Sequence, residues 1–418
     1  MRAASRALKM FSKFLGLEIS VPCWTAGRLW LLRIGLYKLR RPKEIADDWI
    51  WIIDHTVQLG NVKCMVVLGI RRKNLPKGEL YLAHRDVEPI DLIPVEKSNG
   101  EIVFSQLEKN IAKTGIPAQI VSDHGTDIKC GVEMFCEKYN TVHTYDMKHK
   151  GAAVLKRELK DDEQWQKFAN EASRSGKKVQ QTKLSYMAPP NQRSKARYMN
   201  VKELVDWGAD VLCRLQLEKE QKAEEFEKGE MYAKFGWIYA FENNLKNWKS
   251  LIDIVRTANE FIDFMGLFKG VEEYLEAELS EMPETKKLRH IANELVEFVS
   301  EQQKKIGDEG TLLGSSEIIE SVIGKYKRLQ NDQVKGGFTG MVLGLAASVS
   351  DFSLETVRMA IESTSTKSVW RWIKEKVGKS VYSERREFRK IARNQEQKRA
   401  EFLCTDRKST RLNSSHYS

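Results

Sequence analysis

The spacing of apolar positions changes near Asp48 and separates helical from strand-forming parts of the chain. Residues 5–39 carry apolar side chains at helical spacing, interrupted at Gly16 and ending near Gly35, which predicts two helices. After Asp48, short apolar runs predict five strands, at 49–53, 62–70, 79–83, 118–122 and 142–145. Helical spacing separates the third, fourth and fifth strands, so we predict a mixed sheet with helices on its faces.

A long helical stretch follows the fifth strand. Residues 148–310 have helical spacing throughout, and one loop that contains Pro189 and Pro190 interrupts them. A new helix begins after Gly314, and helical spacing continues to about Thr405. The chain therefore combines an α/β part with a longer all-helical part.

Positive charge is concentrated at the two ends of the chain. The net charge is +11, and residues 1–43 hold ten Lys or Arg against one acidic residue. Residues 367–405 hold twelve Lys or Arg against five acidic residues. Such an excess favours contact with phosphates, with solvated helix faces as the alternative.

The first two predicted helices suit a DNA-binding helix-turn-helix over residues 1–43, with a small helical cap as the alternative. The basic residues predicted to contact DNA in this region are Arg28, Arg33, Lys38, Arg40 and Arg41. Three more follow the Pro-Pro loop, namely Arg193, Lys195 and Arg197.

Cysteine usage and hydropathy argue against several classes of protein. The six cysteines include no Cys-x-x-Cys pair, so we expect neither a zinc site nor a disulfide framework, and a cytoplasmic location fits. No apolar run approaches the ~20 residues of a membrane-spanning helix. Residues 406–418 are similar to the translation of a sequencing-adapter oligonucleotide, so we exclude them from the fold prediction.

Two acidic residues stand at the ends of apolar strands, Asp54 after 49–53 and Asp123 after 118–122. Acids at the ends of neighbouring strands can meet at one edge of a sheet. Carboxylate oxygens are ligands that Mg²⁺ prefers, and two such ions can promote the cutting of a phosphodiester bond.

The segments around these acids, Trp-Ile-Ile-Asp-His-Thr at 51–56 and Ile-Val-Ser-Asp-His-Gly-Thr-Asp at 120–127, resemble the first and second catalytic motifs of DDE transposases. The resemblance implies an RNase H-like core, in which a third acid completes the site. In integrase-type enzymes that acid follows the fifth strand closely. Glu158 fits this arrangement, because it lies 35 positions after Asp123 in a helical run.

A second subgroup, which includes Mutator-like elements and related bacterial insertion sequences, carries a helical insertion before the third acid. It also tends to have Cys or Asp, two residues and His after strand five, which Asp146 and His149 match. The segment Ser-Ser-Glu-Ile-Ile-Glu-Ser at 315–321 is similar to its third-acid helix. The resemblance therefore favours Glu320, with Glu317 as a lesser alternative and Lys327, two helical turns later, as a site-adjacent cation.

We accordingly predict an α/β, RNase H-like mixed sheet interrupted by an all-α insertion, with an N-terminal helix-turn-helix. The predicted divisions are 1–43 (helix-turn-helix), 44–150 (first part of the core), 151–312 (insertion), 313–350 (third-acid helix), 351–405 (basic helical region) and 406–418 (adapter-like tail).

The resemblance implies a transposase that uses Asp54, Asp123 and Glu320 to hold two Mg²⁺ ions, with Mn²⁺ as a substitute. The expected partner is double-stranded DNA, bound at transposon ends and at the target by a homodimer or higher oligomer in the nucleoid. Two alternatives are a structure-specific nuclease of the same fold and a decayed transposase that only binds DNA.

Overall fold

The computed structural model describes most of the chain, over residues 2–57, 63–76, 78–190, 201–222, 229–306, 310–331, 339–378 and 385–397. The predicted DNA contacts Arg193, Lys195 and Arg197 lie outside the described residues, as does the segment 406–418. None of the helices within the described ranges is both long and apolar enough to span a membrane.

A five-stranded mixed sheet forms the centre of the α/β part. Its strands are β1 (Trp49–Val57), β2 (Lys63–Arg71), β3 (Glu88–Val95), β4 (Gln119–Ser122) and β5 (Val142–Tyr145). They lie in the order β3-β2-β1-β4-β5, with β1, β2 and β3 antiparallel and β1, β4 and β5 parallel. This order and these directions are those of an RNase H-like core, which confirms the predicted fold class.

The helices are α1 (Arg2–Phe14), α2 (Trp24–Arg40), α3 (Gly100–Thr114), α4 (Thr126–Tyr139), α5 (Met147–Lys160), α6 (Glu163–Val179), α7 (Val201–Gln221), α8 (Glu230–Phe235), α9 (Glu242–Met265), α10 (Val271–Leu279), α11 (Lys286–Gln303), α12 (Glu317–Asn331), α13 (Leu343–Ala347), α14 (Leu354–Ser363) and α15 (Thr366–Trp372).

Each face of the sheet has its own hydrophobic core, because side chains alternate between the faces along a strand. Ile50 and Ile52 of β1 pack with apolar residues of α2, α12 and α13. Trp51 and Ile53 pack on the opposite face with residues of α3 and α4. Helices from both ends of the chain thus share one face of the sheet.

Helices α5 to α11 form a third core, which runs in sequence from Met147 to Leu312. Leu312 pairs with Leu267 in an isolated antiparallel bridge, so the end of this helical body returns beside α9. The body lies between β5 and α12, where the all-α insertion is predicted. Its limits at 151 and 312 stay a prediction.

The third strand lies later in the chain than predicted. Residues 79–83, all of which are described, have no strand pairing, whereas β3 pairs with β2. The predicted position was wrong because Pro89 and Pro94 make this segment look unlike a strand. As an edge strand, β3 tolerates proline, which has no N–H to donate.

Helix α2 is part of the core and does not end near Gly35, as the glycine had suggested. A Cβ at Gly35 would lie 2.0 Å from the carbonyl oxygen of Leu343, so glycine permits close packing of α2 on α13. Residues 15–23 also separate α1 from α2, which is longer than the short turn of a helix-turn-helix. The helix-turn-helix over residues 1–43 therefore stays a prediction, and this packing adds no support to it.

Candidate active site

Three parallel strands bring acidic residues to one edge of the sheet. Ile53 of β1 pairs with Ser122 of β4, and Ser122 pairs with Tyr145 of β5, so these three residues form a row across the sheet. The residue that follows each of them is an aspartate: Asp54, Asp123 and Asp146. Register alone therefore places the three aspartates side by side. Strand β1 continues to Val57 rather than ending before Asp54, but beyond Ile53 it is paired only with β2.

The carboxyl group of Asp54 lies in an environment that disfavours its negative charge. Burial, and after it the charge of Asp123, raise the pKa of Asp54 to about 7. The charge of Glu320 acts on Asp54 in the same direction, whereas the backbone N–H of His55, 2.6 Å from Oδ1, opposes it. Asp123 accepts a hydrogen bond at Oδ1 from the backbone N–H of Gly125 at 3.1 Å. Asp123 and Glu320 are therefore both close enough to Asp54 for their charges to raise its pKa.

A buried polar network fixes the chain where it returns from the helical body to the sheet. The Gln119 side chain donates to the carbonyl of Leu313 at 2.6 Å and accepts from its backbone N–H at 3.1 Å. The Thr144 hydroxyl donates to the same carbonyl at 3.1 Å. The Met147 N–H donates to the carbonyl of Gly314 at 2.9 Å. These bonds attach residues 313–314 to β4 and β5 just before α12 begins.

Helix α12 then places Glu320 beside the residues that follow β5. Its Oε2 lies 3.5 Å from Nζ of Lys148, and its Oε1 lies 3.7 Å from Nε2 of His149. Burial raises the pKa of Glu320 above its ordinary range, although the positive charges of Lys148 and His149 oppose that shift. Glu320, from a helix beyond the helical body, therefore reaches the edge that carries the strand-end aspartates.

Asp146 is fully buried and connects α5 to α12. It caps α5 by accepting from the backbone N–H of Lys148 at 2.8 Å, and it also accepts from Nδ1 of His149 at 3.0 Å and from the hydroxyl of Ser316. Burial alone would raise the pKa of Asp146, but these donors lower it below its ordinary value. Burial would also lower the pKa of His149, but the Asp146 carboxylate raises it to about 9.

The structure separates Glu320 from the other predicted candidates for the third acid. Glu158 forms ion pairs with Arg157 and with Lys287 of α11, both at 2.8 Å, so it belongs to the helical body. Glu317 binds Lys148 at 3.0 Å and lies one turn before Glu320. Lys327 is exposed, and the cation beside Glu320 is Lys148 instead.

Two of the predicted DNA contacts have structural partners inside the core. Lys38 is 0% exposed, its Nζ donates to the carbonyl of Val349 at 2.7 Å, and burial lowers its pKa to about 8. Arg33 donates to the carbonyls of Ile361 and Thr364 at the end of α14. Lys38 is therefore enclosed by the core and Arg33 is bonded to the end of α14, so their predicted contact with DNA stays a prediction that these bonds do not favour.

The other described candidates for DNA contact differ in exposure. Arg41 pairs with Glu88 of β3 and donates to the Ser350 hydroxyl at 3.1 Å. Arg28 is half-buried, and Arg40 is exposed. Of the predicted contacts in α2 and directly after it, Arg40 is therefore the most accessible.

Sequence reasoning missed the acid Asp263 of α9, which lies near the start of α12. Burial raises the pKa of Asp263 to about 7, and its carboxyl group interacts with Ser315 and Glu317. Together with Tyr81, Asp263 and Glu317 border a cavity of about 240 Å³. No motif marks Asp263, because it occupies an ordinary position in a long helical pattern.

No protein-family model matches the chain, and no curated protein matches it. The magnesium complex of the HTLV-2 integrase catalytic core domain (trimeric form) is similar at 13% identity, over 39% of this chain and 99% of that chain, with a TM-score of 0.18. The Drosophila P element transposase strand transfer complex is similar at 16% identity, over 90% and 88%, with a TM-score of 0.30. The fold assignment rests on the strand order and register described above.

Proposed function

We propose that this chain is a DNA transposase that cleaves strands at transposon ends and joins them to target DNA. The observation that supports it is the convergence of Asp54, Asp123 and Glu320 at one edge of an RNase H-like sheet. The expected motifs contain these three acids, although about two hundred positions separate the last two. Three carboxyl groups with only a structural role would have no reason to lie close together at a place where burial disfavours their negative charge.

The residues present fit divalent metal ions. Burial raises the pKa of both Asp54 and Glu320. Repulsion from Asp123 adds to the shift of Asp54, whereas Lys148 opposes the shift of Glu320. A cation among these carboxylates would relieve that repulsion, and carboxylate oxygens are the ligands that Mg²⁺ prefers. We propose that Asp54, Asp123 and Glu320 hold two Mg²⁺ ions, with Mn²⁺ as a substitute.

When bound, the ions supply Lewis acidity at the attacking and the leaving oxygen of the phosphodiester. The chain contributes the placement of the acids. Asp54 and Asp123 are set by the register of two adjacent strands, and Glu320 is set by the network at Leu313 and Gly314. Lys148 balances part of the negative charge on Glu320 and on Glu317.

The partners are proposed on the same basis. We propose double-stranded DNA, at transposon ends and at the target, as substrate, and a homodimer or higher oligomer as the assembly on DNA. Residues 351–405 hold thirteen Lys or Arg against eight acidic residues, and Arg40 of α2 is exposed. These features favour contact with phosphates.

The test uses supercoiled plasmid DNA and an oligonucleotide duplex taken from inverted repeats that flank the gene. With Mn²⁺ or Mg²⁺, we expect nicking of the plasmid and joining of the duplex to it. Asp123→Asn should lose both activities and keep its affinity for DNA, whereas Asp161→Asn, an acid at the end of α5, should keep all three. Nicking without joining would favour the nuclease, and DNA binding without nicking would favour the decayed transposase.

A further inference from the structure

A buried carboxylate orients the imidazole ring of His149. The Asp146 side chain is 0% exposed and accepts from Nδ1 of His149 at 3.0 Å. Ser316 and the backbone N–H of Lys148 hold the same carboxylate in place. Because a carboxylate accepts only, Nδ1 carries the hydrogen, and Nε2 is the nitrogen left to face the acids.

The other ring nitrogen, which must lose its proton to bind a metal ion, lies near Glu320 at a distance that suits a shared ion. Nε2 of His149 lies 3.7 Å from Oε1 of Glu320, which is longer than a hydrogen bond. Ligand bonds of about 2.0–2.2 Å place two ligand atoms of one metal ion roughly 3 to 4 Å apart. One carboxylate oxygen from each of Asp146 and Glu320 and a ring nitrogen of His149 all lie within 4.8 Å of one another.

His149 is not the only positively charged neighbour of Glu320. Lys148 already lies 3.5 Å from its other carboxylate oxygen. A histidine whose second nitrogen is bonded to a buried carboxylate is instead the usual arrangement of a metal-binding imidazole, because the carboxylate fixes the tautomer and the ring orientation.

We propose that Nε2 of His149 is a direct nitrogen ligand of the metal ion held by Glu320, with Asp146 as the residue that orients it. This inference rests on the proposed function, since it concerns the same site. It adds a nitrogen donor to an otherwise all-oxygen set. Imidazole suits transition metals better than Mg²⁺, so this position should favour a transition-metal ion.

Pulsed electron paramagnetic resonance of Mn²⁺ tests the ligand directly, on the full chain without DNA. We expect modulation from a directly bound ¹⁴N nucleus in the wild type and its loss in His149→Gln. Asp146→Asn should keep Mn²⁺ binding but weaken it about 10- to 100-fold, which is typical for loss of an orienting carboxylate. His124→Gln is the matched control, because His124 follows Asp123 but stacks on Tyr145 with ring centroids 3.7 Å apart.

The outcomes separate this inference from the function on which it rests. If Mn²⁺ binds and Glu320→Gln weakens it, but the wild type shows no ¹⁴N signal, the nitrogen ligand is wrong and the metal site stands. A signal that persists in His149→Gln, or that disappears in His124→Gln, also overturns the assignment. If neither Asp54→Asn nor Glu320→Gln alters Mn²⁺ binding, or if millimolar Mn²⁺ does not bind, the proposed function itself fails.

Discussion

Replacing Asp54 with asparagine should stabilise the metal-free protein at alkaline pH. Asp54 has a pKa of about 7 in the folded chain, against an ordinary value of 3.8. The folded state therefore holds a proton that the unfolded chain releases, so the free energy of unfolding falls as pH rises from about 4 to about 7. Asparagine has a similar shape and cannot ionise, so Asp54→Asn removes this loss.

The magnitude follows from the shift in pKa. A shift of about 3 units, at about 1.4 kcal/mol per unit, corresponds to about 4 kcal/mol above pH 7. The pKa of about 7 already includes the bond from the His55 N–H, which lowers it. We therefore expect Asp54→Asn to gain about 4 kcal/mol over the wild type at pH 8 and only about 1–2 kcal/mol at pH 5, where the loss has just begun.

Urea unfolding in EDTA at pH 5 and pH 8 measures this difference. Asp253→Asn is the matched control, because Asp253 lies in α9, is partly exposed and pairs with Arg256 at 3.3 Å. Added Mg²⁺ should stabilise the wild type at pH 8 and should stabilise Asp54→Asn much less. If Asp54→Asn is no more stable than the wild type at pH 8 in EDTA, burial and repulsion do not act on Asp54 as described.

Three further predictions concern other positions. Glu320→Gln should abolish plasmid nicking while Glu158→Gln retains it, measured under identical Mn²⁺ concentrations; the reverse result would restore the integrase-type arrangement. Gln119→Leu should lower the free energy of unfolding by about 1–3 kcal/mol, because it leaves the backbone N–H of Leu313 without an acceptor and its carbonyl with the Thr144 hydroxyl alone, and nicking should fall with it; unchanged urea midpoints would contradict the network. Lys38→Met should lower stability by about 1–3 kcal/mol yet leave the salt dependence of DNA binding unchanged in a fluorescence titration; a smaller salt slope would mean that Lys38 reaches phosphate after all.

Local sequence determined the strands that carry the first two acids. The runs before Asp54 and Asp123 are uniformly apolar, because parallel strands in the middle of a sheet are buried on both faces. Their acids could be recognised for the same reason, since a charge directly after such a run stands out. Local sequence led to a wrong position for β3, because two prolines make this edge strand look unlike a strand. It also led to a wrong end for α2, because Gly35 lies inside the helix, where close packing requires a glycine.

Sequence alone also did not predict the surroundings of two basic residues. Lys38 and Arg33 look like phosphate contacts in a charged segment, but both bind backbone carbonyls from the other end of the chain. A sequence pattern shows the charge of a side chain. It does not show which face of a helix will pack against the core. That choice depends on α13 and α14, which pack on α2 from about three hundred positions away.

Only the tertiary structure decided which glutamate joins the aspartates. Glu158 and Glu320 both occupy helices after β5, and sequence could rank them only through a resemblance. In the fold, the bonds from Gln119 and Thr144 to Leu313 bring the chain back to the sheet beyond the helical body, and the bond from Ser316 to Asp146 sets the start of α12. The position of the proposed third acid, Glu320, is therefore fixed by long-range hydrogen bonds, because no local pattern can specify where a chain returns to the sheet after so many helical residues.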